Sequence, residues 1–260
     1  MSAWTPHRLR TSLDRRLTEY CNTLTVPLSW PQGAVSMTFD DAPVSAFEQG
    51  ADAVREAGGF ATFYCSLGLM SHPSPCGVLG GPLHLRQAWS CGHELGCHTF
   101  DHVDAWSCDN ETFMASISRN AHAYGTLIPG FQPRTFAYPK QGARWSVKRQ
   151  VSSRFSASRG GRPTAHFEKA DLNLLRCVFL DDSRRPEPAA LHHLIERTAK
   201  ERGWLILATH DVNSQPSPYG CHVRDLRYWL RQCVSAGLRL LTVERASTEL
   251  QEGAGAGGRS

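Results

Sequence analysis

The sequence predicts an α/β protein whose parallel strands close into a barrel. Short apolar runs alternate with segments of helical periodicity along most of the chain, and Gly and Pro separate the two kinds of segment. About seven or eight strands follow from this pattern, and strands that alternate with helices form a parallel sheet covered by those helices. A chain of 260 residues is long enough to bury roughly 75% of its unfolded surface.

The elements follow one another in a regular order. The first and strongest strand is Ala34 to Phe39, and an apolar-periodic helix from Val44 to Ala57 ends at Gly58-Gly59. We expect the later strands at 61–65, 94–99, 135–138, 155–157, 174–179, 204–209 and 238–243, and the later helices at 83–89, 111–127, 145–151, 188–202 and 223–236.

Composition divides the chain into three segments. Residues 1–33 form an N-terminal arm, with helical spacing from Leu9 to Leu17, that we expect to pack on the barrel. Residues 34–250 form the barrel domain itself. Residues 251–260 are rich in Gly, and we expect this tail to be disordered.

Charge and cysteine content exclude several classes of protein. The net charge of +4 includes no long block of like charges, so we expect no nucleic acid partner. No apolar run approaches the ~18 residues of a membrane span, and charged residues interrupt the first thirty positions, so a cytoplasmic location is expected. Nine cysteines without a C-x-x-C pair indicate reduced thiols rather than a disulfide framework or a cysteine-type zinc site.

Two adjacent carboxylates, Asp40 and Asp41, follow the first strand directly. Active sites of barrel enzymes lie at the C-terminal ends of the strands, and adjacent residues at that position can take different roles. The alternative is that one of them caps the helix that begins near Val44.

Two histidines, His98 and His102, follow another predicted strand. A spacing of four residues recurs at zinc sites, although two ordinary surface histidines would look the same in a chain with twelve. With one carboxylate, the two imidazoles form a three-ligand set that leaves coordination positions open, as catalytic metals require. The second carboxylate then stays free to act as a base.

Four motifs at predicted strand ends together resemble the polysaccharide deacetylase family, the NodB-homology domains of carbohydrate esterase family 4. The motifs are Thr38-Phe39-Asp40-Asp41, His98-Thr99-Phe100-Asp101-His102, Phe136-Ala137-Tyr138-Pro139 and Leu207-Ala208-Thr209-His210, in that order. The resemblance spans about residues 34–243. It implies a distorted (β/α) barrel of about seven strands.

The resemblance also implies an activity, namely metal-dependent removal of an N-acetyl or other N-acyl group from an amino sugar in a glycan or glycoconjugate. By family position, Asp41, His98 and His102 hold one divalent metal, in most members Zn²⁺, with Co²⁺, Ni²⁺ or Mn²⁺ as alternatives. Asp40 is then the base that deprotonates water, and His210 is the acid that protonates the leaving amine.

The third motif supplies the expected contacts to substrate. The backbone N–H of Tyr138 or of a neighbour is expected to stabilise the oxyanion, with Pro139 and Lys140 beside it. The motif departs from the family at Ala137 and Lys140, where many members carry an Arg that pairs with the base and a Tyr. Either Arg134 or Arg159 is expected to replace that Arg, and Arg159 also to line the substrate site.

The residue that orients His210 is open between Asp181 and Asp182, for which a loop or capping role is the alternative. Two other functions also stay open. One is a catalytically inactive carbohydrate-binding protein on the same fold. The other is a non-haem Fe(II) oxygenase, which shares the two-histidine, one-carboxylate set but has no use for a separate base and acid. The expected substrate is an N-acetylated oligosaccharide, a lipid-linked sugar or a small glycoconjugate.

Overall fold

The protein forms a curled parallel sheet with helices packed around it. A computed structural model describes residue 14, residues 16–181 and residues 184–257. Its strands are β1 (Thr25–Pro27), β2 (Ala34–Asp40), β3 (Thr62–Cys65), β4 (Pro73–Ser74), β5 (Gly77–Val78), β6 (Glu94–Cys97), β7 (Thr135–Ala137), β8 (Ala157–Arg159), β9 (Lys169–Asp171), β10 (Val178–Phe179), β11 (Trp204–Thr209), β12 (Val212–Asn213), β13 (Cys221–His222) and β14 (Arg239–Leu240).

Seven of these strands form the main sheet, in the order β10, β11, β2, β3, β6, β7, β8, and every pair is parallel. Strand β14 pairs with the first residues of β2. A single parallel bridge joins Arg159, at the end of β8, to Leu175, just before β10. The sheet is therefore curled into a half-barrel whose two edges approach each other, and the predicted distorted barrel of about seven strands is confirmed.

Helices connect successive strands, as the alternating pattern predicts. They are α1 (Ala51–Glu56), α2 (Pro82–Ser90), α3 (Asn110–Leu127), α4 (Trp145–Ser152), α5 (Pro188–Lys200), α6 (Val223–Ser235) and α7 (Val243–Gly257). A π-helical segment, Ala46–Gly50, leads into α1, and 3₁₀ turns occupy Leu67–Leu69 and Pro139–Gln141. Within the described residues, no helix has the length and apolarity needed to cross a membrane.

The central strands are covered on both faces, because helices lie outside the sheet and side chains fill its inside. Every residue of β2, β3, β6 and β11 is buried. Phe39 stacks on Phe63 with ring centroids 5.1 Å apart, and Phe63 stacks in turn on Phe47. On the neighbouring strand β11, Trp204 donates its indole N–H to Oγ of Ser36 in β2 at 2.9 Å.

Several predicted segments differ in the structure. The strand predicted at 238–243 is limited to Arg239–Leu240, because α7 begins at Val243. The strand predicted at 94–99 ends at Cys97. The strand predicted at 155–157 is instead Ala157–Arg159, because the N–H of Phe155 still bonds to the end of α4. The strand predicted at 174–179 is limited to Val178–Phe179. The tail predicted to be disordered from residue 251 continues α7 as far as Gly257, and residues 258–260 lie outside the described residues.

The described part of the N-terminal arm contacts the barrel domain at two places. Residues 16–20 are helical, and the carbonyl of Thr18 accepts a hydrogen bond from the buried Lys148 at 2.9 Å. Strand β1 pairs antiparallel with β9. Most of the predicted helix from Leu9 to Leu17 lies outside the described residues.

Candidate metal centre and active site

The C-terminal ends of four strands bring the candidate residues to one edge of the barrel. Asp40 ends β2 and Asp41 follows it, and His98 follows β6 directly. Arg159 is the last residue of β8, and His210 follows β11. Because these strands run parallel in one sheet, residues far apart in sequence meet at this edge, as the motif positions predict.

Three of these side chains have the geometry of a metal-ligand set. Asp41 Oδ1 lies 3.5 Å from His102 Nε2 and 4.0 Å from His98 Nε2. Asp41 Oδ1 is also buried and has no hydrogen-bond partner in the structure. A buried carboxylate oxygen without a partner is costly, and a bound cation would satisfy it. The residues therefore fit a divalent cation with open coordination positions.

The tautomer of His98 supports the same conclusion. Its Nδ1 lies 2.8 Å from the carbonyl oxygen of Ala137, and a carbonyl only accepts, so Nδ1 carries the hydrogen. The lone pair on Nε2 is then free for a metal, an arrangement that is usual for ligating histidines. Burial lowers the pKa of His98 to about 4, against the opposing effect of Asp40, so the imidazole is neutral at physiological pH.

The loops that present the ligands adopt strained backbone conformations. Asp41, Ala42, Thr99 and His102 all have φ between 48° and 62°, in the left-handed region that non-glycine residues rarely enter. Such conformations cost on the order of 1–3 kcal/mol each and persist only where surrounding contacts impose them. All four lie in the two segments that carry Asp41 and His102.

Asp40 lies beside the candidate ligands and pairs with Arg159. The Arg159 guanidinium is buried, donates from Nη2 to Asp40 Oδ1 and donates from Nη1 to Cys177 Sγ at 3.0 Å. Burial alone would raise the pKa of Asp40, but the positive charge of Arg159, with contributions from His98 and His210, lowers it to about 2. Asp40 is therefore ionised despite its burial.

Of the two arginines predicted as partners of the base, the structure places only Arg159 against Asp40. Arg134 is exposed, and its backbone carbonyl bonds to Ser156 before β8 begins. The alternative for the acidic pair is that one of them caps the helix near Val44. Among the described hydrogen bonds, neither carboxylate does so, and Asp40 accepts from Arg159 instead.

His210 faces the same site from β11. Its Nδ1 lies 3.1 Å from the carbonyl oxygen of Tyr219, so Nδ1 carries the hydrogen and Nε2 is left for other partners. The ring stacks on Phe179 at 6.0 Å between centroids. The carboxylate of Asp181 pairs with Arg184, and its role in orienting His210 stays a prediction. Asp182 lies outside the described residues.

The third motif needs a correction at Tyr138. Its backbone N–H donates to the carbonyl of Arg159 at 2.9 Å, and its ring packs against Phe136, so neither group is available to substrate. Pro139 has no N–H to offer. The exposed Lys140, at φ 55°, has a backbone N–H without an acceptor among the described residues, and the oxyanion contact expected of a neighbour of Tyr138 stays a prediction at this position.

Sequence reasoning missed one residue of this site, Cys76. Its thiol, Asp41 and His210 form a second set whose ligand atoms all lie within 4.8 Å of one another. Cys76 follows β4 in a hairpin that the sequence analysis did not predict. The turn residues Pro75 and Gly77 flank it, but nothing in the local pattern indicates that this turn lies over the metal centre.

A comparison of the sequence with protein-family models shows what this chain is similar to. The family model described as "Polysaccharide deacetylase" matches residues 29–155, which include the acidic pair, both candidate histidine ligands and the third motif. Over those residues, the chain is similar to polysaccharide deacetylases. Among curated protein sequences, none matches this chain.

Solved structures of polysaccharide deacetylases and related esterases share the fold. Peptidoglycan deacetylase PdaC from Bacillus subtilis aligns with a TM-score of 0.60 at 16% identity, over 88% of this chain and 96% of its own. Chitin deacetylase from Colletotrichum lindemuthianum gives 0.59 at 17% identity, over 85% and 89%. A family 4 carbohydrate esterase from Streptomyces lividans gives 0.56 at 18% identity, over 80% and 91%.

Similarity to the polysaccharide deacetylase family supports an enzyme that deacetylates carbohydrate. The family is generally metal-dependent, and the described residues include candidate ligands for a metal. Neither the inactive carbohydrate-binding protein nor the Fe(II) oxygenase gains support from the family match.

Proposed function

We propose that this protein is a metal-dependent hydrolase that removes an N-acetyl, or another N-acyl, group from an amino sugar in a glycan or glycoconjugate. One observation supports this most directly. A buried carboxylate oxygen of Asp41, without a hydrogen-bond partner, faces two imidazole nitrogens, and an ionised carboxylate, Asp40, lies next to it. This arrangement provides a place for a cation and a separate base.

The cation would be held by Asp41 and by the Nε2 atoms of His98 and His102. Two imidazoles and one carboxylate are a ligand set that Zn²⁺ uses in hydrolases, and Co²⁺, Ni²⁺ or Mn²⁺ can substitute for it. When bound, the cation supplies a Lewis acid that polarises the acyl carbonyl and makes a water more acidic.

Asp40 takes the proton from the attacking water. Its pKa of about 2 guarantees that the carboxylate is ionised at neutral pH, although the same low value makes it a weak base on its own. Arg159 fixes the position of the carboxylate through Oδ1, which leaves the other oxygen to meet the water. Arg159 is thus a positioning residue in this scheme.

His210 gives a proton to the leaving amine. Because Nδ1 donates to the carbonyl of Tyr219, the transferred proton is the one on Nε2. An amide needs this help, since its nitrogen is a poor leaving group until it is protonated. The backbone N–H of Lys140 is placed in the third motif, where a donor would stabilise the oxyanion.

The substrate in this proposal is an N-acetylated oligosaccharide, a lipid-linked sugar or a small glycoconjugate. The similar solved structures are named for peptidoglycan and for chitin, and both polymers contain N-acetylated amino sugars. Acetylated chitooligosaccharides are therefore suitable first substrates for an assay.

The proposal is tested by Asp40→Asn. We expect hydrolysis to fall by about 10²- to 10⁴-fold, the usual contribution of a general base, while bound metal stays unchanged because Asp40 is not a ligand. Acetate release from acetylated chitooligosaccharides and elemental analysis of the same sample measure the two quantities. Asp52→Asn, at an exposed carboxylate of α1, is the matched control. Wild-type rates in Asp40→Asn would overturn the role of the base.

A further inference from the structure

Asp41 belongs to two ligand sets rather than one. In the described part of the chain, it groups with His98 and His102, and separately with Cys76 and His210, each set within 4.8 Å. The five side chains do not form a single group at that distance, so Asp41 is the residue that the two sets share. A carboxylate has two oxygens and can serve one cation with each.

Cys76 is held in this position by its own hairpin. Ser74 Oγ accepts from the N–H of Cys76 at 3.1 Å and donates to the carbonyl of Gly77 at 2.8 Å, which fixes the turn. The return strand is attached next to the acidic pair, because the N–H of Gly80 donates to the carbonyl of Ala42 at 3.0 Å. The thiol is thus presented to Asp41 by backbone contacts and is buried there.

His210 completes the second set with the correct atom. Its Nδ1 hydrogen is committed to Tyr219, so the lone pair of Nε2 is available. A thiolate, an imidazole and a carboxylate together are a set for borderline and soft cations such as Zn²⁺, Co²⁺ and Cd²⁺, and they exclude Mg²⁺ and Ca²⁺, which take oxygen ligands.

We propose that Asp41, Cys76 and His210 form a second site, for a thiophilic divalent cation, and that a cation bound there inhibits hydrolysis. Binding displaces the thiol proton into solvent and forms a bond from the cation to sulfur, without an oxidant. Inhibition follows because Nε2 of His210 is then ligated and no longer carries a proton to the leaving amine. The inhibitory half rests on the proposed function, whereas the binding half does not.

Binding is tested by titrating the metal-free full-length chain with Cd²⁺, whose bond to a thiolate gives ultraviolet charge-transfer absorption. We expect His102→Ala to keep this absorption and Cys76→Ser to lose it. Cys76→Ser should also lose at least about tenfold in affinity for a second ion, because loss of even an outer-shell partner of a metal site costs about tenfold in affinity. Cys91→Ser, at an exposed cysteine, is the matched control and should resemble wild type.

His210→Asn is a second variant in case Cys76→Ser fails to fold, because it removes another ligand of the second set and keeps the thiol. It should also weaken binding of the second ion, while its circular dichroism spectrum stays that of wild type. A wild-type chain that binds one ion only, or a Cys76→Ser chain that binds two with unchanged absorption, would overturn the second site.

The inhibitory half is tested by the ratio of hydrolysis at two equivalents of Zn²⁺ to hydrolysis at one. We expect this ratio to fall well below one in wild type and in Cys91→Ser, and to stay near one in Cys76→Ser. Equal ratios in all three, with the second ion shown to bind, would overturn the inhibition. If no chain hydrolyses any acetylated sugar, the proposed function fails, while the Cd²⁺ titration still decides whether the second site exists.

Discussion

Two buried carboxyl groups lie at opposite ends of their own strands in the same sheet and have opposite electrostatics. Asp40, at the C-terminal end of β2, is paired with the guanidinium of Arg159. Glu94, at the N-terminal end of β6, is surrounded by neutral donors. It accepts from Thr62 Oγ1 at 2.7 Å, from Thr135 Oγ1 and from the N–H of Glu244 at 2.8 Å.

Burial raises the pKa of both groups, but only Asp40 has a full positive charge, that of Arg159, beside it. Desolvation dominates at Glu94, and its hydrogen bonds recover only part of the cost, so the pKa rises to about 7. At Asp40, Arg159 and the two nearby histidines outweigh burial, and the pKa falls to about 2. The comparison teaches that the counter-charge, rather than depth, decides which buried acid stays ionised.

The difference matches what each acid contacts. Glu94 ties together β3, β6, β7 and the first turn of α7, and this contact works with a protonated carboxyl group. Asp40 stands among candidate metal ligands, and the role of base that we propose for it requires the ionised form. One buried acid therefore helps to close the fold, and the other is the acid to which we assign the chemistry.

Removing the positive charge of Arg159 should have the largest effect on stability of the changes considered for these two acids. We expect Arg159→Met to cost about 3–5 kcal/mol of unfolding free energy at neutral pH, because it leaves the ionised Asp40 buried and unpaired. Urea unfolding measures this loss. Adding Asp40→Asn to Arg159→Met should recover much of it, since the amide needs no counter-charge.

A surface arginine provides the control for that experiment. Arg245→Met breaks an exposed ion pair with Glu249 on α7 and should cost at most about 1 kcal/mol. If Arg159→Met were equally mild, or if the double variant were no more stable than Arg159→Met, Asp40 would not depend on Arg159 for its charge.

Much of this arrangement was predictable from the sequence, because periodic patterns record burial. The strand Trp204–Thr209 was predicted at its observed bounds, and the motif positions correctly placed Asp41, His98 and His102 together. The prediction worked because parallel strands end at one edge, so residues at strand ends meet whatever their separation in the chain.

The residues that sequence reasoning missed, left open or misassigned depend on contacts that leave no local pattern. Arg159 was only one of two choices, because a buried arginine looks like a surface one until its partner is known. Cys76 meets Asp41 only through the pairing of its hairpin with the segment after β2. Tyr138 was misassigned because its N–H is consumed by the ladder to β8, which was predicted two residues early.

The pH dependence of the unfolding free energy tests the raised pKa of Glu94. A pKa of about 7 in the folded chain, against an ordinary 4.5, means that the fold binds the proton more tightly than the unfolded chain. The stabilisation is then complete below about pH 4.5 and is lost as the pH rises through 7, with a loss of about 3 kcal/mol in all. Urea unfolding at intervals from pH 5 to 8 measures it.

Glu94→Gln identifies the group responsible. The amide does not titrate, so its unfolding free energy should lack the decline that wild type shows between pH 5 and 8. Hydrolysis by Glu94→Gln should stay within a small factor of wild type, because the described hydrogen bonds of Glu94 go to Thr62, Thr135 and Glu244 and to none of the candidate metal ligands. A decline equal to that of wild type would assign the pH dependence to another group.

The smallest expected effect comes from removing one neutral donor from Glu94. Thr135→Val keeps the shape and strand propensity of β7 but deletes a hydroxyl that stabilises the ionised form more than the neutral one. At pH 5, where Glu94 is protonated, we expect a loss of about 1 kcal/mol. The pKa of Glu94 should rise further, so the midpoint of the stability decline moves to higher pH. Thr126→Val, at an exposed hydroxyl of α3, should leave that midpoint in place. A midpoint that moved down in Thr135→Val would mean that the hydroxyl favours the neutral acid, and the two buried acids would then differ less than their partners suggest.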